Sequence, residues 1–421
     1  MRADVQLSTR FLTTQNAHQV GMLVTLTGET PGRRAPINVA LVLDRSGSMS
    51  GEPLEAAKDA AKRFAGFLSP ADRLAIVTFD DHVHTIFGPA AAGDPSAESA
   101  IADVRSGGST NLSGGWLQGM RHVKRALVDG TNRVVLLTDG QANTGIVEPS
   151  ALVGLSTGAA GERVSTTCIG FGPAFNEDLL EPMARSGGGN YWYVESEDQM
   201  AVIFQAEIEG LVALAAQNVA VEVSLTHPQV AGVSFLQSYA VETTPAGTWR
   251  VALGDLYATS PRPLGLIFHV DDVARLGPVQ IGEVRIEADV VLEQGIEHRT
   301  IVMPVMANLD AADHVEPVVE RTLLRFEAAK AREAAIQQAD LGDFDGAANV
   351  LREAGCNLLA YAGDADVARE IEDLKGQAAR LHSRLYDASD RKYDAAMAMG
   401  TRDGKEQYLS SIDRARPGRR R

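Results

Sequence analysis

The sequence predicts an α/β protein: a doubly wound, mostly parallel sheet joined to an antiparallel β-sandwich domain and a C-terminal α-helical domain. Three observations predict it. Continuous β-branched apolar runs alternate with segments of helical spacing between 36 and 216, a period of two fills 217–310, and Ala, Leu and charged residues recur at helical spacing over 311–400.

Residues 1–35 open with polar–apolar alternation, at Val5 and Leu7 and again at Val20, Met22, Val24 and Leu26, around the polar TTQNAHQ break. This reads as two half-buried antiparallel strands that cannot form a domain alone, so they are expected to join the later β-domain. After PGRRAP the pattern changes. INVALVLD (37–44) is apolar without alternation, as a central strand buried on both faces must be. EPLEAAKDAAKRFAGFL (52–68) then has helical spacing, RLAIVTF (73–79) and HVHTIF (82–87) read as strands, NLSGGWLQGMRHVKRAL (111–127) as a helix and RVVLLTD (133–139) as a second buried strand. A weak helix near 149–160, a strand at 164–172, a helix at 176–185, a strand at 191–194 and a helix across 196–216 complete the unit. Such alternation gives a sheet covered on both faces.

VAVEVSL, WRVALGDL, RPLGLIFHV, VQIGEVRIEADVVLEQ and HRTIVMPVM then follow, separated by Gly and Pro turns, and make the sandwich over 217–310. Because residues 1–35 share this alternation, the α/β unit is expected to be an insertion. In 311–400, RFEAAKAREAAIQQADLGDFDGAANVLREA resembles a tetratricopeptide helix pair with Gly342 in its turn. Asp340, Asp343, Asp345 and Gly346 are out of register for a calcium loop and read as a polar helix–helix turn. The helical pattern fades beyond about 396, and 401–421 reads as a basic flexible tail carrying Arg414, Arg416, Arg419, Arg420 and Arg421.

Composition narrows the functions. Lys and Arg number 39 against 55 Asp and Glu, a net charge of −16, which argues against a phosphate-binding surface and hence against nucleic acid. Cys168 and Cys356 are the only cysteines, so a disulfide framework is excluded. No apolar stretch approaches the roughly 18 residues of a membrane span, and the first fifteen residues lack a signal-peptide core. A cytoplasmic setting is the expectation.

The sharpest chemical signal is LVLDRSGSMSG at the end of the first buried strand, which places Asp44, Ser46 and Ser48 on a turn opening into a helix. Thr110, in SGGSTNLSGG, and Asp139, at the end of RVVLLTDGQ, are two more oxygen donors at strand ends or helix starts. In a doubly wound sheet those ends line the ligand crevice. Oxygen donors without His or Cys suit Mg²⁺, with Mn²⁺ or Ca²⁺ as alternatives. Without a metal, Asp44 and Ser46 would serve as helix caps and Thr110 as a turn residue, a role that leaves Asp139 unexplained.

At these residues the chain resembles the von Willebrand factor A (VWA) domain family, whose metal-ion-dependent adhesion site (MIDAS) is DxSxS with a distant Thr and a distant Asp. All five positions are filled, by Asp44, Ser46, Ser48, Thr110 and Asp139, and Gly47, Gly107 and Gly108 match the glycines that shape the site. The resemblance covers about 36–216. It implies a Rossmann-like fold, a bound Mg²⁺, and a protein partner that supplies an Asp or Glu to the metal, with an AAA+ ATPase or a multiprotein assembly as candidates. The flanking strands resemble the architecture of inter-alpha-trypsin inhibitor heavy chains and calcium-activated chloride channel proteins, in which an A domain is inserted into a β-sandwich.

Walker, HExxH, GxSxG and GxGxxG motifs are absent, and His82, His84 and His122 accompany no nucleophile motif, so a non-enzymatic binding module is the leading expectation. The alternatives are a metal-dependent hydrolase or phosphoryl-transfer enzyme, and a scaffold working through its helices.

Overall fold

The computed structural model describes residues 1–12, 17–29, 34–172, 174–258, 260–271, 277–292, 295–310 and 312–404. The arginines expected in the basic tail lie outside the described residues.

Strands β1 (Arg2–Leu12) and β2 (Ala17–Thr27) pair antiparallel along their whole length. Next comes the α/β unit: β3 (Ile37–Asp44), α1 (Glu52–Phe67), β4 (Arg73–Phe79), β5 (Val83–Ala91), α2 (Pro95–Ala102), α3 (Leu112–Arg125), β6 (Thr131–Thr138), α4 (Pro149–Gly161), β7 (Ser165–Phe171), α5 (Glu177–Ser186), β8 (Gly188–Val194) and α6 (Glu197–Val212). The sheet order is β5-β4-β3-β6-β7-β8, with β5 the one antiparallel member, paired on β4. Every residue of β3, β6 and β7 is buried, as their apolar runs require. The chain leaves β3 toward β4 on one side and later returns to place β6 on the other. The loops after β3 and β6 therefore face each other at a topological switch point.

Helix α3 lies close on this sheet because two of the residues it turns toward the sheet, Gly115 and Gly119, lack side chains. A Cβ at Gly119 would meet Val42 Cγ2 at 2.5 Å, and one at Gly115 would meet Phe79 Cδ1 at 2.6 Å. This close approach fixes the helix whose N-terminus follows Thr110.

The remaining strands are β9 (Leu214–Leu225), β10 (Val230–Phe235), β11 (Val241–Thr243), β12 (Trp249–Tyr257), β13 (Arg262–Val270), β14 (Gly277–Leu292) and β15 (Gly295–Leu309). They form sheets of order β1-β2-β13-β10 and β11-β12-β9-β14-β15. β2 hydrogen-bonds to β13, so strands flanking the α/β unit in sequence share one sheet. Between the sheets Val20, Met22, Val24 and Leu26 meet Val221, Val223, Phe268 and Ile286 in one core.

Among the described residues four helices follow: α7 (Pro317–Asp340), α8 (Phe344–Asn357), α9 (Ala365–His382) and α10 (Ala388–Arg402). Gly342, at φ +87°, turns α7 into α8, and Asp343 caps α8 by accepting from Gly346 N at 2.9 Å. Asp345 pairs with His382 and Asp340 with Arg391, which accounts for the acidic turn without a cation. Val319, Leu323 and Phe326 of α7 pack with Leu23 and Leu236 of the sandwich.

Several elements differ from the sequence expectation. The last helix of the α/β unit ends at Val212, and residues 214–216 already belong to β9. α2, β10 and β11 were not anticipated. α10 continues past 396 to Arg402, because Arg402 is buried among Glu181, Glu333 and Asp403 rather than fraying.

The α/β unit and the sandwich meet through a buried ionic cluster. Arg133 at the start of β6 donates to Glu207 Oε1 of α6 at 2.8 Å, to Tyr257 Oη of β12 at 3.0 Å, and to the Asp255 carboxylate. Glu207 also accepts from Thr167, Asn190 and Trp192 at 2.7–2.8 Å. Burial works to raise the Glu207 carboxyl, but Arg133 and these donors hold it below the usual range.

Candidate metal site at the switch point

Asp44 is the last residue of β3, and its carboxylate is fixed from two sides. Oδ1 accepts from Ser46 N at 2.8 Å, and Oδ2 accepts from the Thr138 hydroxyl at the end of β6. From Asp44 a chain of hydroxyls crosses the crevice: Ser46 Oγ lies 3.2 Å from Ser48 Oγ, and Ser48 Oγ donates to Asp139 Oδ1 at 2.8 Å. Thr110 enters from the loop before α3. A Cβ at Gly140 would lie 3.2 Å from Thr110 Oγ1 and 3.7 Å from Asp44 Oδ2, so both oxygens flank that glycine. The structure thus brings together all five residues singled out in the sequence.

Their burial is uneven in a useful way. Asp44 is 0% exposed and Ser46 2%, while Ser48 faces solvent, so the cluster is closed below and reached from above. Burial pushes the Asp44 carboxyl up to about 6, with nearby Asp139 adding to the rise, and burial raises Asp139 as well. Two carboxylates driven toward protonation by low dielectric, with hydroxyls and backbone N–H groups beside them, form a donor set that a divalent cation would neutralise. The donors are all oxygens, which fits a hard cation and not a thiolate- or imidazole-seeking one. Among the described residues no group of three His, Cys, Asp or Glu is placed to hold a metal ion; the site is instead built mainly from hydroxyls. When bound, a hard cation would supply Lewis acidity toward an anionic oxygen.

Backbone bonds hold the loops in register. Gly47 N donates to Gly108 O at 2.9 Å and Gly107 N to Arg45 O at 2.7 Å, while Asn143 N donates to Thr110 O at 3.1 Å. Asn111 caps α3 by accepting from Gly114 N at 3.0 Å. Sequence reasoning missed Thr138, which looks like any strand threonine, and Asp80 and Asp81 at the end of β4. Asp80 is buried, which by itself would raise it, yet the His82 N–H and the Arg45 guanidinium hold it below the usual range. His122 is spent on Thr85 Oγ1 at 2.8 Å and Gln118 at 3.0 Å.

The site thus sits at the switch point of a mostly parallel, helix-covered sheet, the class of a doubly wound α/β domain. Residues 38–206 match the model of the von Willebrand factor type A domain, and the α/β unit is such a domain. An uncharacterised protein of Synechocystis sp. is 29% identical over 280 residues, 64% of this chain and 66% of the relative. Human inter-alpha-trypsin inhibitor heavy chain H1 is 28% identical over 212 residues, 48% of this chain and 23% of the relative. The matched region thus spans less than two thirds of either relative.

Among solved structures, a von Willebrand factor type A protein from Catenulispora acidiphila superposes with a TM-score of 0.67 at 17% identity, covering 88% of this chain and 89% of that one. VWA2, the ArnB paralogue from Sulfolobus acidocaldarius, gives 0.59 at 14% identity, covering 91% and 97%. Both likenesses run well beyond the A domain, so the fold shared with these proteins includes sandwich and helical parts. VWA domains in general mediate metal-dependent protein–protein interactions.

Proposed function

We propose that the chain is a non-enzymatic, metal-dependent protein-binding module whose recognition element is a Mg²⁺ ion held by Asp44, Ser46, Ser48, Thr110 and Asp139. The observation that carries this is the convergence of five oxygen-bearing side chains from three separate loops, closed beneath and solvent-facing at Ser48. Neutral hydroxyls leave the cation electrophilic, and the group it seeks is a carboxylate. The partner is therefore a protein presenting an exposed Asp or Glu, within a multiprotein assembly; an AAA+ ATPase is one partner class of that kind. Among the described residues no helix is long and apolar enough to cross a membrane, and Cys168 and Cys356 are free thiols, in keeping with a cytoplasmic setting.

The test is co-purification of the full chain with partners in Mg²⁺ and in EDTA, wild type beside Asp139→Ala. Partners retained only by the wild type in Mg²⁺ support the reading. Identical partner sets under all four conditions would remove it.

A further inference from the structure

We propose that Asp80 and Asp81 are the positioning residues of the metal site, holding the 106–110 loop so that the Thr110 hydroxyl faces Asp44; this rests on the metal-binding reading of the site. The loop has neither helical nor sheet hydrogen bonds of its own, so something outside it must fix its path. Two successive aspartates just after β4 do so, Asp81 through its carboxylate and Asp80 through its backbone carbonyl. Asp81 Oδ1 accepts from Ser109 N at 3.0 Å, one residue before Thr110, and Asp80 O accepts from Asn111 N at 2.9 Å, one residue after it.

Contact is close enough to explain both glycines. A Cβ at Gly107 would lie 1.8 Å from Asp80 Oδ2, and one at Gly108 would lie 1.8 Å from Asp81 Oδ2. Asp80 is itself locked. Its Oδ1 accepts from His82 N at 2.7 Å and its Oδ2 pairs with Arg45 Nη2 at 2.8 Å. Arg45 stands between Asp44 and Ser46 in the chain, so one ion pair ties the loop that carries three of the proposed ligands to the clamp on the loop that carries the fourth. The two loops cannot shift independently without breaking it. Outer partners of this kind set the orientation of metal ligands, and their loss typically costs about 10–100-fold in metal affinity.

Asp81 is exposed and suits substitution, whereas buried Asp80 risks the fold. Mg²⁺ is titrated calorimetrically into the full chain as wild type, Asp81→Ala, Asp81→Asn, Thr110→Ala and the Asp81→Ala/Thr110→Ala pair. Asp81→Ala is expected to weaken Mg²⁺ by about tenfold with an unchanged melting temperature in EDTA. Asp81→Asn, whose amide oxygen still accepts from Ser109 N, is expected to recover most of that loss. The double variant is expected to bind no more weakly than Thr110→Ala, because Asp81 acts through Thr110. Asp81→Ala binding as tightly as wild type, or losses that simply add in the double variant, would overturn the clamp alone. A wild-type chain that takes up no Mg²⁺ overturns the metal reading and the clamp with it.

Discussion

Ser48 Oγ donates to Asp139 Oδ1 at 2.8 Å, joining residues 91 positions apart across the crevice between β3 and β6. The bond holds Asp139 toward Asp44 instead of letting two buried carboxylates splay apart. A ligand that binds only this folded arrangement stabilises it by mass action, by about 2.7 kcal/mol at a free concentration near 100 times its dissociation constant. Millimolar Mg²⁺ should therefore raise the melting temperature of the wild type and leave Asp139→Ala and Asp44→Ala unmoved, read by differential scanning calorimetry with and without EDTA. Equal shifts in all three would place the cation elsewhere.

Glu207 is 0% exposed and gathers Arg133, Thr167, Asn190 and Trp192 on one carboxylate. Removing it strands buried donors and part of a buried guanidinium charge, a loss of about 3–5 kcal/mol when a buried pair is broken from one side. Glu207→Ala is expected to lower the urea midpoint by a corresponding amount. Since Arg133 also binds Asp255 and Tyr257, the seam between the A domain and the sandwich should loosen too, with faster amide exchange in β12.

Gly119 faces Val42, two residues before Asp44 on β3, and a Cβ there would come within 2.5 Å of Val42 Cγ2. Valine is stiff at χ1 and packed on all sides, so the strand or the helix must move. Gly119→Ala is expected to cost about 1–3 kcal/mol as overpacking, and to weaken Mg²⁺ by displacing α3, whose N-terminus follows Thr110. A variant with wild-type stability would show that α3 slides freely, contrary to this packing.

How much of this was legible in the sequence depends on whether a residue's role is written in its own neighbourhood. INVALVLD announces a buried strand because no polar side chain interrupts it, and Asp44, Ser46 and Ser48 announce a ligand turn because three donors alternate at its end. Thr138 carries no such mark: its hydroxyl matters only because β6 lies beside β3. Asp80 and Asp81 carry none either: they fill the two-residue link between the runs at 73–79 and 82–87, and their role shows only when the 106–110 loop is folded over them. α10 misled for the opposite reason. Lys392, Asp394 and Arg402 are buried, so its inward face is polar and hides the helical stripe; Lys392 reaches Phe175 O at 2.8 Å and sits 4.1 Å over the Phe175 ring. Partners on α5 compensate that polarity, and α5 is some two hundred residues away.

Asp394 supplies a pH dependence of the same helix. Burial pushes its carboxyl up to about 7, against the pull of Arg380 and Arg332. Those guanidinium groups are largely committed elsewhere, Arg332 to Glu370 and Arg380 to Asp390 at 3.3 Å, and among the described residues Asp394 Oδ2 has no hydrogen-bond partner. The folded chain thus holds a proton here that the unfolded chain, with a pKa near 3.8, releases. Between those two values the folded state binds more protons, so unfolding free energy falls as pH rises. The contribution is complete below about 3.8 and is lost as pH climbs through about 7. Urea unfolding of the full chain in EDTA should accordingly show a lower midpoint at pH 8 than at pH 6 from this group. Asp394→Asn, neutral at both, should flatten that difference and exceed the wild type at pH 8. An Asn variant with the wild-type pH slope would assign the dependence to another group.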